Sequence, residues 1–365
     1  MKIVLAPDSF KGSLSATEVV DAVAEGIRES APGAVITLQP LADGGEGTLD
    51  VLSHHGFTIH TLTVPDSWGT PVTARFASRD GVVVIESAQA FGFLPGATAT
   101  NALEASSAGV GFIILEALSQ GPTEILLTVG GTSGTDGGFG MLRALGAVGR
   151  DHEGREVGAG GGALAALESV DLSGLDSRLA KTRVRVLTDV TNPLLGPTGA
   201  AAVFAPQKGA DEDAVVALEA GLARFSGLVG PDVAGRPGAG AGGGLAFAAM
   251  AALAASQQSG ATAMIEITGV SDDLEGADLV VTGEGSFDSQ SLGGKIPGVV
   301  IELARSRNIP VVVVCGVSPI TEKIPGVTVI AISAGAPSIQ ESIDHPVVYL
   351  RDAGREIGRL ATEAR

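Results

Sequence analysis

The chain has 365 residues, of which 45% are hydrophobic, and a formal net charge of −18. At roughly 150 residues per domain, this length predicts two domains, each with enough apolar residues for its own core. The strong negative charge argues against nucleic acid or an anionic membrane as a partner. Aromatic residues make up only 4% of the chain, which argues against a surface that stacks nucleic-acid bases.

Glycine accounts for 53 residues in short clusters without a period, a pattern typical of tight loops at strand ends. The single cysteine, Cys315, lies in the apolar run IPVVVVCGV, where a small buried side chain is expected. One cysteine allows no disulfide within the chain, and the early Asp8 and Lys11 do not fit a signal peptide. The longest apolar stretch, GLAFAAMAALAA, falls short of the ~20 residues that span a bilayer. We therefore expect a soluble, cytoplasmic protein.

The N-terminal segment reads as the start of a parallel α/β sheet. An apolar run from Ile3 to Leu5 predicts a strand, and a helix follows. Ser15 and Glu18 have the spacing of a capping box at the start of that helix. The stretch APGAVITLQP then predicts a second strand, and the glycine-rich LADGGEGTLD follows at its carboxyl end.

The middle of the chain has a different pattern. TIHTLTV, TPVTARF and GVVVIES are short strands separated by turn residues, which predicts an antiparallel meander. Longer units return in TEILLTVGG, in the helix start TDGGFGMLRALGA and in TRVRVLTDVTNP. Residues 230–244 are loop-like, and an alanine-rich helix is expected after them.

A βα rhythm resumes near the C-terminus, with strands in ADLVVTGEG, IPVVVVCG and VTVIAIS and a helix in IPGVVIELARSRN. The two ends of the chain thus share a pattern of alternating strands and helices, whereas the middle begins with an antiparallel meander. The sequence predicts an α/β protein with a discontinuous Rossmann-like or flavodoxin-like domain at residues 1–60 and 270–365. A second, mixed α/β domain at residues 61–269 is inserted into it.

Known nucleotide and metal motifs are absent or fail their context. SLGGK is not a Walker A loop, because Ser289 stands where glycine and Ile296 where serine or threonine is needed. GAGAGG from Gly238 matches G-x-G-x-x-G, but no strand precedes it. An anion site and a close packing contact both remain open for that run. The histidines lack zinc-ligand spacing, and no G-x-S-x-G elbow occurs.

Carboxylates set among glycines, most of them after a predicted strand, form the strongest chemical signal. They are Asp8, Asp43, Glu46, Asp136, Asp189, Glu284 and Asp288. Each one alone is more often a turn or cap residue. Several together, at the carboxyl ends of strands in an α/β sheet, indicate a ligand site, because ligands bind in that crevice.

Three of the six lysines, Lys11, Lys208 and Lys295, adjoin glycines in the same kind of loop. A lysine beside exposed backbone N–H groups suits phosphate, although a solvated surface lysine is the ordinary alternative for any one of them. Acidic groups for Mg²⁺ together with lysines for phosphate indicate phosphoryl transfer.

Long motifs then carry a resemblance that spans the chain in order. KIVLAPDSFKGSLSA, PLADGGEGT, DVTNPLLGPTGAAAVFAPQKGA and TGEGSFDSQSLGGK closely resemble the bacterial type I glycerate kinase family. The resemblance implies transfer of the γ-phosphate of ATP to a hydroxyl of D-glycerate, with Mg²⁺. It also implies two α/β domains with the active site in the cleft between them.

The chain departs from the family pattern in two places. The family usually has Ser-Ser-x-Gly-Thr-Gly-Glu where this chain has SSAGVGF, so Val110 and Phe112 receive no ligand role. The family usually has Ser-Ala-Thr where Thr132, Ser133 and Gly134 stand here. Only the neighbouring Gly130, Gly131 and Asp136 are therefore carried over as predicted contacts.

The expected chemistry distributes roles among these residues. Asp189, which follows a predicted strand and precedes a turn, is the predicted general base for the acceptor hydroxyl, with a turn or N-cap aspartate as the alternative. Asp8 and Lys11 are predicted to face phosphate, and Lys295 to neutralise the transferring group. The glycerate carboxylate needs a cation, and the choice between Arg75 and Lys208 stays open.

The remaining site predictions follow from the same motifs. Asp43 and Glu284 are the predicted Mg²⁺ ligands, and Asp50 is excluded because it lies a helical turn beyond Glu46 and is expected to face solvent. The other predicted contacts to substrate or phosphate are Ser9, Gly44, Gly45, Glu46, Asn192, Lys208, Gly283, Gly285 and Asp288.

Other outcomes stay open at this point. The resemblance favours the 2-phosphate as product, and the 3-phosphate is the alternative. Two other classes are a Mg²⁺-dependent phosphatase or mutase and a non-catalytic sensor of sugar acids. We expect D-glycerate and ATP as small-molecule partners, no nucleic acid and no membrane, and a homodimer is a further expectation.

Overall fold

The structure is a computed structural model, which describes residues 1–363. Its strands in chain order are β1 (Lys2–Leu5), β2 (Val35–Leu38), β3 (Thr58–Pro65), β4 (Pro71–Arg79), β5 (Val82–Glu86), β6 (Glu124–Thr128), β7 (Val148–Arg150), β8 (Ser169–Asp171), β9 (Arg183–Leu187), β10 (Ser256–Gln258), β11 (Leu279–Ser286), β12 (Val311–Val317) and β13 (Val327–Ala331).

The helices alternate with these strands over most of the chain. In chain order they are α1 (Ala16–Ser30), α2 (Thr48–His54), α3 (Ala88–Phe91), α4 (Ala99–Glu104), α5 (Ala108–Ser119), α6 (Phe139–Ala144), α7 (Ala200–Phe204), α8 (Glu212–Val229), α9 (Pro231–Ala234), α10 (Leu245–Ala252), α11 (Gly260–Thr268), α12 (Val270–Asp273), α13 (Ile296–Ser306), α14 (Ile339–Asp344) and α15 (Pro346–Glu363). Short 3₁₀ helices include Pro206–Lys208 and Ala241–Gly244.

The chain divides into two compact units. The first contains Met1–Asp43, Asp50–Gly56 and the chain from Ser259 onward, and the second contains Gly44–Leu49 and Phe57–Gln258. The first unit is therefore discontinuous in sequence. The domain prediction from the sequence placed its boundaries at residues 60 and 269, and it did not separate residues 44–49 from the N-terminal segment.

Five parallel strands form the sheet of the first unit, in the order β2-β1-β11-β12-β13. Alternate residues of β1 face opposite cores, because successive side chains of a strand point to opposite faces. Ile3 and Leu5 pack in one core with residues of α1 and α15, and Val4 packs in the other. Both faces are covered, as is usual for a parallel sheet. The α/β fold predicted from the sequence is confirmed.

Helix α1 begins at the predicted capping box. The Ser15 hydroxyl accepts the Glu18 backbone N–H at 3.3 Å, and the Glu18 carboxylate accepts the Ser15 N–H at 2.8 Å. This helix packs closely on α15. A Cβ on Gly26 would lie 2.0 Å from the carbonyl oxygen of Arg351, so only glycine lets the two backbones approach this closely.

The second unit contains a six-stranded mixed sheet in the order β10-β9-β6-β5-β4-β3. Strands β3, β4 and β5 form an antiparallel meander, which confirms the prediction for the three short strands. Beyond β5 the sheet is parallel, through β6 and β9 to β10. The parallel half brings the carboxyl ends of β5, β6, β9 and β10 to one edge of the sheet.

The run GAGAGG serves close packing in this unit. Gly242, Gly243 and Gly244 all have positive φ, and α10 begins at Leu245. A Cβ on Gly243 would lie 2.0 Å from the carbonyl oxygen of Gly134. Of the two alternatives left open by the sequence, the structure therefore favours the packing contact, since the glycines lie against a neighbouring loop.

One stretch has the length and hydropathy of a membrane span. Ala99–Ser119 comprises 21 residues with a mean hydropathy of 1.4, and 61% of its apolar window is buried inside the protein. This stretch, rather than GLAFAAMAALAA, is the better candidate by length. Because core helices of globular proteins pass the same test, its burial makes it weak evidence for a membrane.

Candidate functional site

Three predicted carboxylates lie at the carboxyl ends of neighbouring strands in the first unit. Asp8 follows β1, Asp43 follows β2, and Glu284 belongs to β11. The Asp8 backbone N–H donates to the Gly283 carbonyl at 2.8 Å, so Asp8 and Glu284 occupy adjacent positions. The strand order is that of a flavodoxin-like sheet, in which ligands bind where the winding direction reverses, between β1 and β11. Asp8 and Glu284 lie at that point.

Asp8 has the electrostatics of an acid–base group. It is 5% exposed, and its carboxylate accepts the Ser9 backbone N–H at 2.6 Å. Burial, and after it the negative charge of Asp43, raise the pKa of Asp8 to about 7. A carboxyl with such a pKa can exchange a proton near neutral pH.

Lys11 joins these carboxylates electrostatically. Its Nζ lies 3.3 Å from Oδ2 of Asp43, and its side chain is 68% exposed. Burial opposes the charged ammonium, but Asp43, Asp8 and Glu284 outweigh that effect, and the pKa of Lys11 is raised. Lys11 therefore carries a positive charge at neutral pH beside three acidic groups and remains open to solvent.

Glu284 has an oxygen for which the protein provides no partner. Its Oε2 lies 3.9 Å from Nζ of Lys295, while its buried Oε1 accepts no hydrogen bond. Burial raises the pKa of Glu284. A buried acceptor left without a partner costs free energy, so native proteins seldom keep one without a reason. This oxygen therefore marks a position for a ligand or a cation.

Lys295 directly precedes α13 and lies beside Glu284, and its side chain is 35% exposed. Asp288 behaves differently. Its Oδ1 accepts the backbone N–H groups of Gln290 at 2.8 Å and Ser291 at 3.2 Å. These hydrogen bonds, the one from Gln290 foremost, lower the pKa of Asp288. Asp288 thus stabilises a turn, which was the alternative reading for such residues.

The two glycines of TGEGS differ in how closely they are packed. A Cβ on Gly283 would lie 1.9 Å from the carbonyl oxygen of Val314 on β12. A Cβ on Gly285 would meet the Cα of Phe10 at 3.5 Å. Glycine at position 283 therefore lets β12 pack closely on β11, whereas a Cβ at position 285 would make only an ordinary van der Waals contact.

The loop from Gly44 to Leu49 belongs to the second unit. Gly44 has φ +87, the Thr48 hydroxyl donates to the Gly45 carbonyl at 2.7 Å, and Glu46 is exposed. Asp50, excluded in the sequence analysis, is exposed on α2, as expected. The loop thus contains a glycine in the left-handed region and an exposed carboxylate, and the Thr48 hydroxyl stabilises its backbone.

Glu86, which the sequence analysis did not single out, contacts the predicted glycine-rich loop. It ends β5, is 5% exposed, and accepts the Leu49 backbone N–H at 2.9 Å and the Gln89 side-chain amide at 2.8 Å. Its carboxylate thus anchors the glycine-rich loop at the N-terminal turn of α2. The available signal was an acidic residue at the end of the apolar run GVVVIES, without glycines around it.

Two further predicted elements meet at the carboxyl edge of the second sheet. Gly130 and Gly131 follow β6, and Asp189 follows β9. The register pairs Thr128 with Leu187, so both loops leave the sheet at the same level. Asp189 is exposed. Asn192 donates its side-chain amide to the Thr198 carbonyl at 2.8 Å and thereby stabilises its own loop.

Asp136 requires a correction. It is completely buried, and its two oxygens accept the Ser107 N–H and hydroxyl at 2.8 Å each, the Gly138 N–H at 2.9 Å and the Gly140 N–H at 3.1 Å. Four donors saturate a carboxylate. Burial raises the pKa of Asp136, against the effect of these hydrogen bonds. In this arrangement Asp136 holds the loop before α6 and offers no oxygen to a ligand.

Neither candidate anchor for the glycerate carboxylate lies at an open strand end. Lys208 is 4% exposed, and its Nζ donates to the Gly134 carbonyl at 2.5 Å and the Thr132 hydroxyl at 3.2 Å. Burial lowers the pKa of Lys208 to about 7, and Asp136 partly opposes that shift. Arg75 lies in the middle of β4, opposite Thr61. The prediction that one of them contacts the substrate is therefore not supported by their positions.

Val110 and Phe112, two of the residues that depart from the family pattern, lie on α5. Val110 is fully buried in the core of the second unit, and Phe112 is 43% exposed. Arg143 lies near Phe112 along one shallow pocket of about 470 Å³, where it pairs with Glu156 at 3.7 Å. Neither Val110 nor Phe112 has a polar side-chain atom to offer to a ligand.

Comparison with known proteins supplies the identity. A model of the glycerate kinase family matches residues 3–362. The chain belongs to the glycerate kinase family. Glycerate 2-kinase of Escherichia coli K12 is 42% identical over 325 residues, which cover 87% of this chain and 85% of that protein. Glycerate kinase of Bacillus subtilis 168 is 39% identical over 370 residues, or 98% and 97% of the two chains.

A solved structure agrees with these matches. The crystal structure of a Salmonella typhimurium LT2 protein that bears the name glycerate kinase 2 superposes with a TM-score of 0.89 at 36% identity. The match covers 100% of this chain and 99% of the other. The family resemblance noted in the sequence is confirmed, and the protein is an enzyme, a glycerate kinase, whose family implies ATP as co-substrate.

Proposed function

We propose that this glycerate kinase transfers the γ-phosphate of ATP to the 2-hydroxyl of D-glycerate. The observation that carries the proposal is the group of Asp8, Asp43 and Glu284 beside Lys11 at the carboxyl ends of adjacent strands. The 42% identity to a glycerate 2-kinase supports the choice of the 2-hydroxyl. The 3-hydroxyl is the alternative acceptor.

The first unit is assigned to the phosphates of ATP. Lys11 and Lys295 are partly exposed cations beside Asp43 and Glu284 respectively. Phosphoryl transfer needs charge stabilisation and positioning more than covalent chemistry from the protein, and lysines supply the positive charge. The loop from Asp8 to Lys11 begins at the reversal point of the sheet, where phosphates commonly bind in such folds.

Mg²⁺ fits the same residues. Within residues 1–363 no three His, Cys, Asp or Glu side chains converge into a metal site of their own. Mg²⁺ usually takes only one or two carboxylates together with phosphates and waters. The unpartnered Oε1 of Glu284 is suited to such a role, with Asp43 as the second predicted ligand. When bound, the ion would neutralise phosphate charge.

Asp189 is proposed as the general base. It is exposed at the end of β9, beside the loop that starts at Gly130. In this role its carboxylate accepts the proton of the glycerate hydroxyl as that oxygen attacks phosphorus. Asp8 is the second candidate, because its pKa of about 7 also suits proton transfer.

The Asp189→Asn variant tests this assignment. We expect kcat to fall by at least about 10²-fold with an unchanged KM for ATP. Asp8→Asn, measured under the same conditions, tests the second candidate. If Asp189→Asn keeps most of its kcat but melts at a lower temperature, the residue is structural, and a larger kcat loss in Asp8→Asn would transfer the role of base to Asp8.

One assay tests the proposed function as a whole. Purified enzyme with Mg²⁺ and ATP should release ADP when D-glycerate is added, and it should not do so with glycerol. Phosphorus NMR of the product distinguishes the acceptors, because a 2-phosphate couples to one proton and a 3-phosphate to two. Release of inorganic phosphate from phosphoglycerate without ADP formation would indicate a phosphatase, and binding without turnover would indicate a sensor.

Two broader expectations also remain proposals. We propose a cytoplasmic location, supported by the single cysteine, which is buried and reduced. We also propose a homodimer, which sedimentation of the purified protein at several concentrations would test. A mass that stays at 36.3 kDa at every concentration would contradict it.

A further inference from the structure

The amine of Lys208 lies in the interior of the second unit, and the local backbone directs it inward. Lys208 ends the 3₁₀ helix Pro206–Lys208, and Gly209 follows with φ +98. A Cβ on Gly209 would lie 2.3 Å from the carbonyl oxygen of Ala97. Pro206 and Gly209 therefore restrict the backbone on both sides of Lys208, and with it the direction of the Lys208 side chain.

Both acceptors of the Lys208 amine belong to one loop. The Thr132 hydroxyl and the Gly134 carbonyl lie between β6 and α6. A neutral amine has two N–H donors, and the loop provides two acceptors. The pKa of Lys208, lowered by burial to about 7, allows this neutral form at physiological pH. Asp136, in the same loop, partly opposes this lowering of the pKa.

The loop held by Lys208 starts at the proposed substrate edge. Gly130 and Gly131 follow β6 directly, beside the end of β9 that leads to Asp189. A Cβ built on Gly130 would have no neighbour within 4 Å, so this end of the loop faces open space. The far end is fixed by Asp136. Lys208 contacts the segment between the open end and the fixed end.

We propose that Lys208 is a positioning residue that sets the conformation of the Gly130–Gly131 turn through Thr132 and Gly134, and thereby sets how well glycerate binds. The proposal rests on the proposed function, because it takes that turn to be part of the glycerate site. It replaces the expectation that Lys208 contacts the glycerate carboxylate itself.

The Lys208→Met variant removes both hydrogen bonds at nearly constant volume. We expect the KM for glycerate to rise at least about 10-fold while the KM for ATP stays within about twofold. Lys181→Met is the matched control, since Lys181 is an exposed lysine of the same unit, and both of its KM values should stay unchanged. A wild-type KM for glycerate in Lys208→Met, or equal changes in both KM values, would overturn the proposal.

Hydrogen exchange tests the same role without any assay of activity. The backbone N–H groups of Ser133 and Gly137 donate to the carbonyls of Phe91 and Gly243. In Lys208→Met the Ser133 amide should exchange faster, while the Gly137 amide, near the Asp136 anchor, should change less. Unchanged exchange at Ser133 would overturn the proposal even if the enzyme proved to act on another substrate. Absence of glycerate turnover in the wild type would instead contradict the proposed function alone.

A double-mutant cycle separates positioning from direct contact. Thr132→Val removes one acceptor of the Lys208 amine and leaves the lysine in place. Each single variant should raise the KM for glycerate, and the double variant should resemble Lys208→Met, because the two changes remove one shared interaction. Effects that multiply independently would mean that Lys208 acts without the loop, and that result would overturn the proposal.

Discussion

Two acid–lysine groups of this enzyme look alike in sequence and differ in structure. In the first unit, Glu284 lies beside Lys295, and one of its oxygens has no partner in the protein. In the second unit, Asp136 accepts four hydrogen bonds and the nearby Lys208 is almost fully buried. In the sequence, a glycine adjoins each of these four charged residues. Saturation of the carboxylate, and not its sequence context, separates a residue that is free to bind a ligand from one that builds the loop.

The largest effect on stability is expected where the carboxylate is saturated. Asp136→Ala leaves several buried donors without an acceptor, at about 1–3 kcal/mol each, and should cost at least about 3 kcal/mol of unfolding free energy. Urea denaturation followed by circular dichroism measures this cost. If Asp136→Ala keeps its stability and loses only activity, the contrast between the two groups fails.

Glu284→Gln should show the opposite behaviour. Removing a buried charge that lacks full compensation should leave the unfolding free energy nearly unchanged, while the Mg²⁺ concentration for half-maximal rate should rise. Asp43→Asn should act in the same way. Measured together, the two changes should deviate from additivity by about 0.5–3 kcal/mol if both residues serve one ion. Additive effects with an unchanged Mg²⁺ requirement would remove Asp43 and Glu284 from the metal site.

The raised pKa of Asp8 predicts that the stability of the protein depends on pH. Its pKa is raised in the folded protein to about 7 from 3.8, so the folded state binds more protons than the unfolded state between those values. Stability therefore falls as pH rises through that window. Asp8→Asn removes this loss, and its unfolding free energy relative to the wild type should increase from about pH 4 to about pH 8. A constant difference across that range would show that Asp8 has an ordinary pKa.

Lys208 should give the opposite dependence of stability on pH. Its pKa is lowered to about 7 from 10.5, so the unfolded state binds more protons between those values and stability rises with pH there. The stability of the wild type relative to Lys208→Met should increase from about pH 7 to about pH 9. A difference that stays flat with pH would mean that the amine remains charged in the interior.

The smallest effect is expected at Asp288, which resembles Glu284 in sequence but stabilises a turn. Asp288→Ala removes the acceptor for the Gln290 and Ser291 N–H groups. We expect a small decrease in melting temperature, with kcat and the Mg²⁺ requirement unchanged. A loss of activity as large as that of Glu284→Gln would return Asp288 to the site.

Local sequence signals predicted the fold well because their causes are local. The Ser15–Glu18 capping box, the antiparallel meander and the parallel strands near the C-terminus follow from residue spacing and turn chemistry. Glu86 escaped prediction because its partner, the Leu49 N–H, is 37 residues away along the chain. A hydrogen bond of this kind has no periodicity that a sequence could show.

The amino-acid sequence by itself determined the family, the α/β class and the set of acidic loops at strand ends, because these depend on motif order and on hydrophobic spacing. Only the tertiary structure decided which of those carboxylates is available. Asp136 and Glu284 are both acidic residues beside glycine, but packing brings four donors to Asp136 and leaves one oxygen of Glu284 without any. Burial and hydrogen bonding depend on residues that are distant in sequence, and the sequence of a single loop does not contain them.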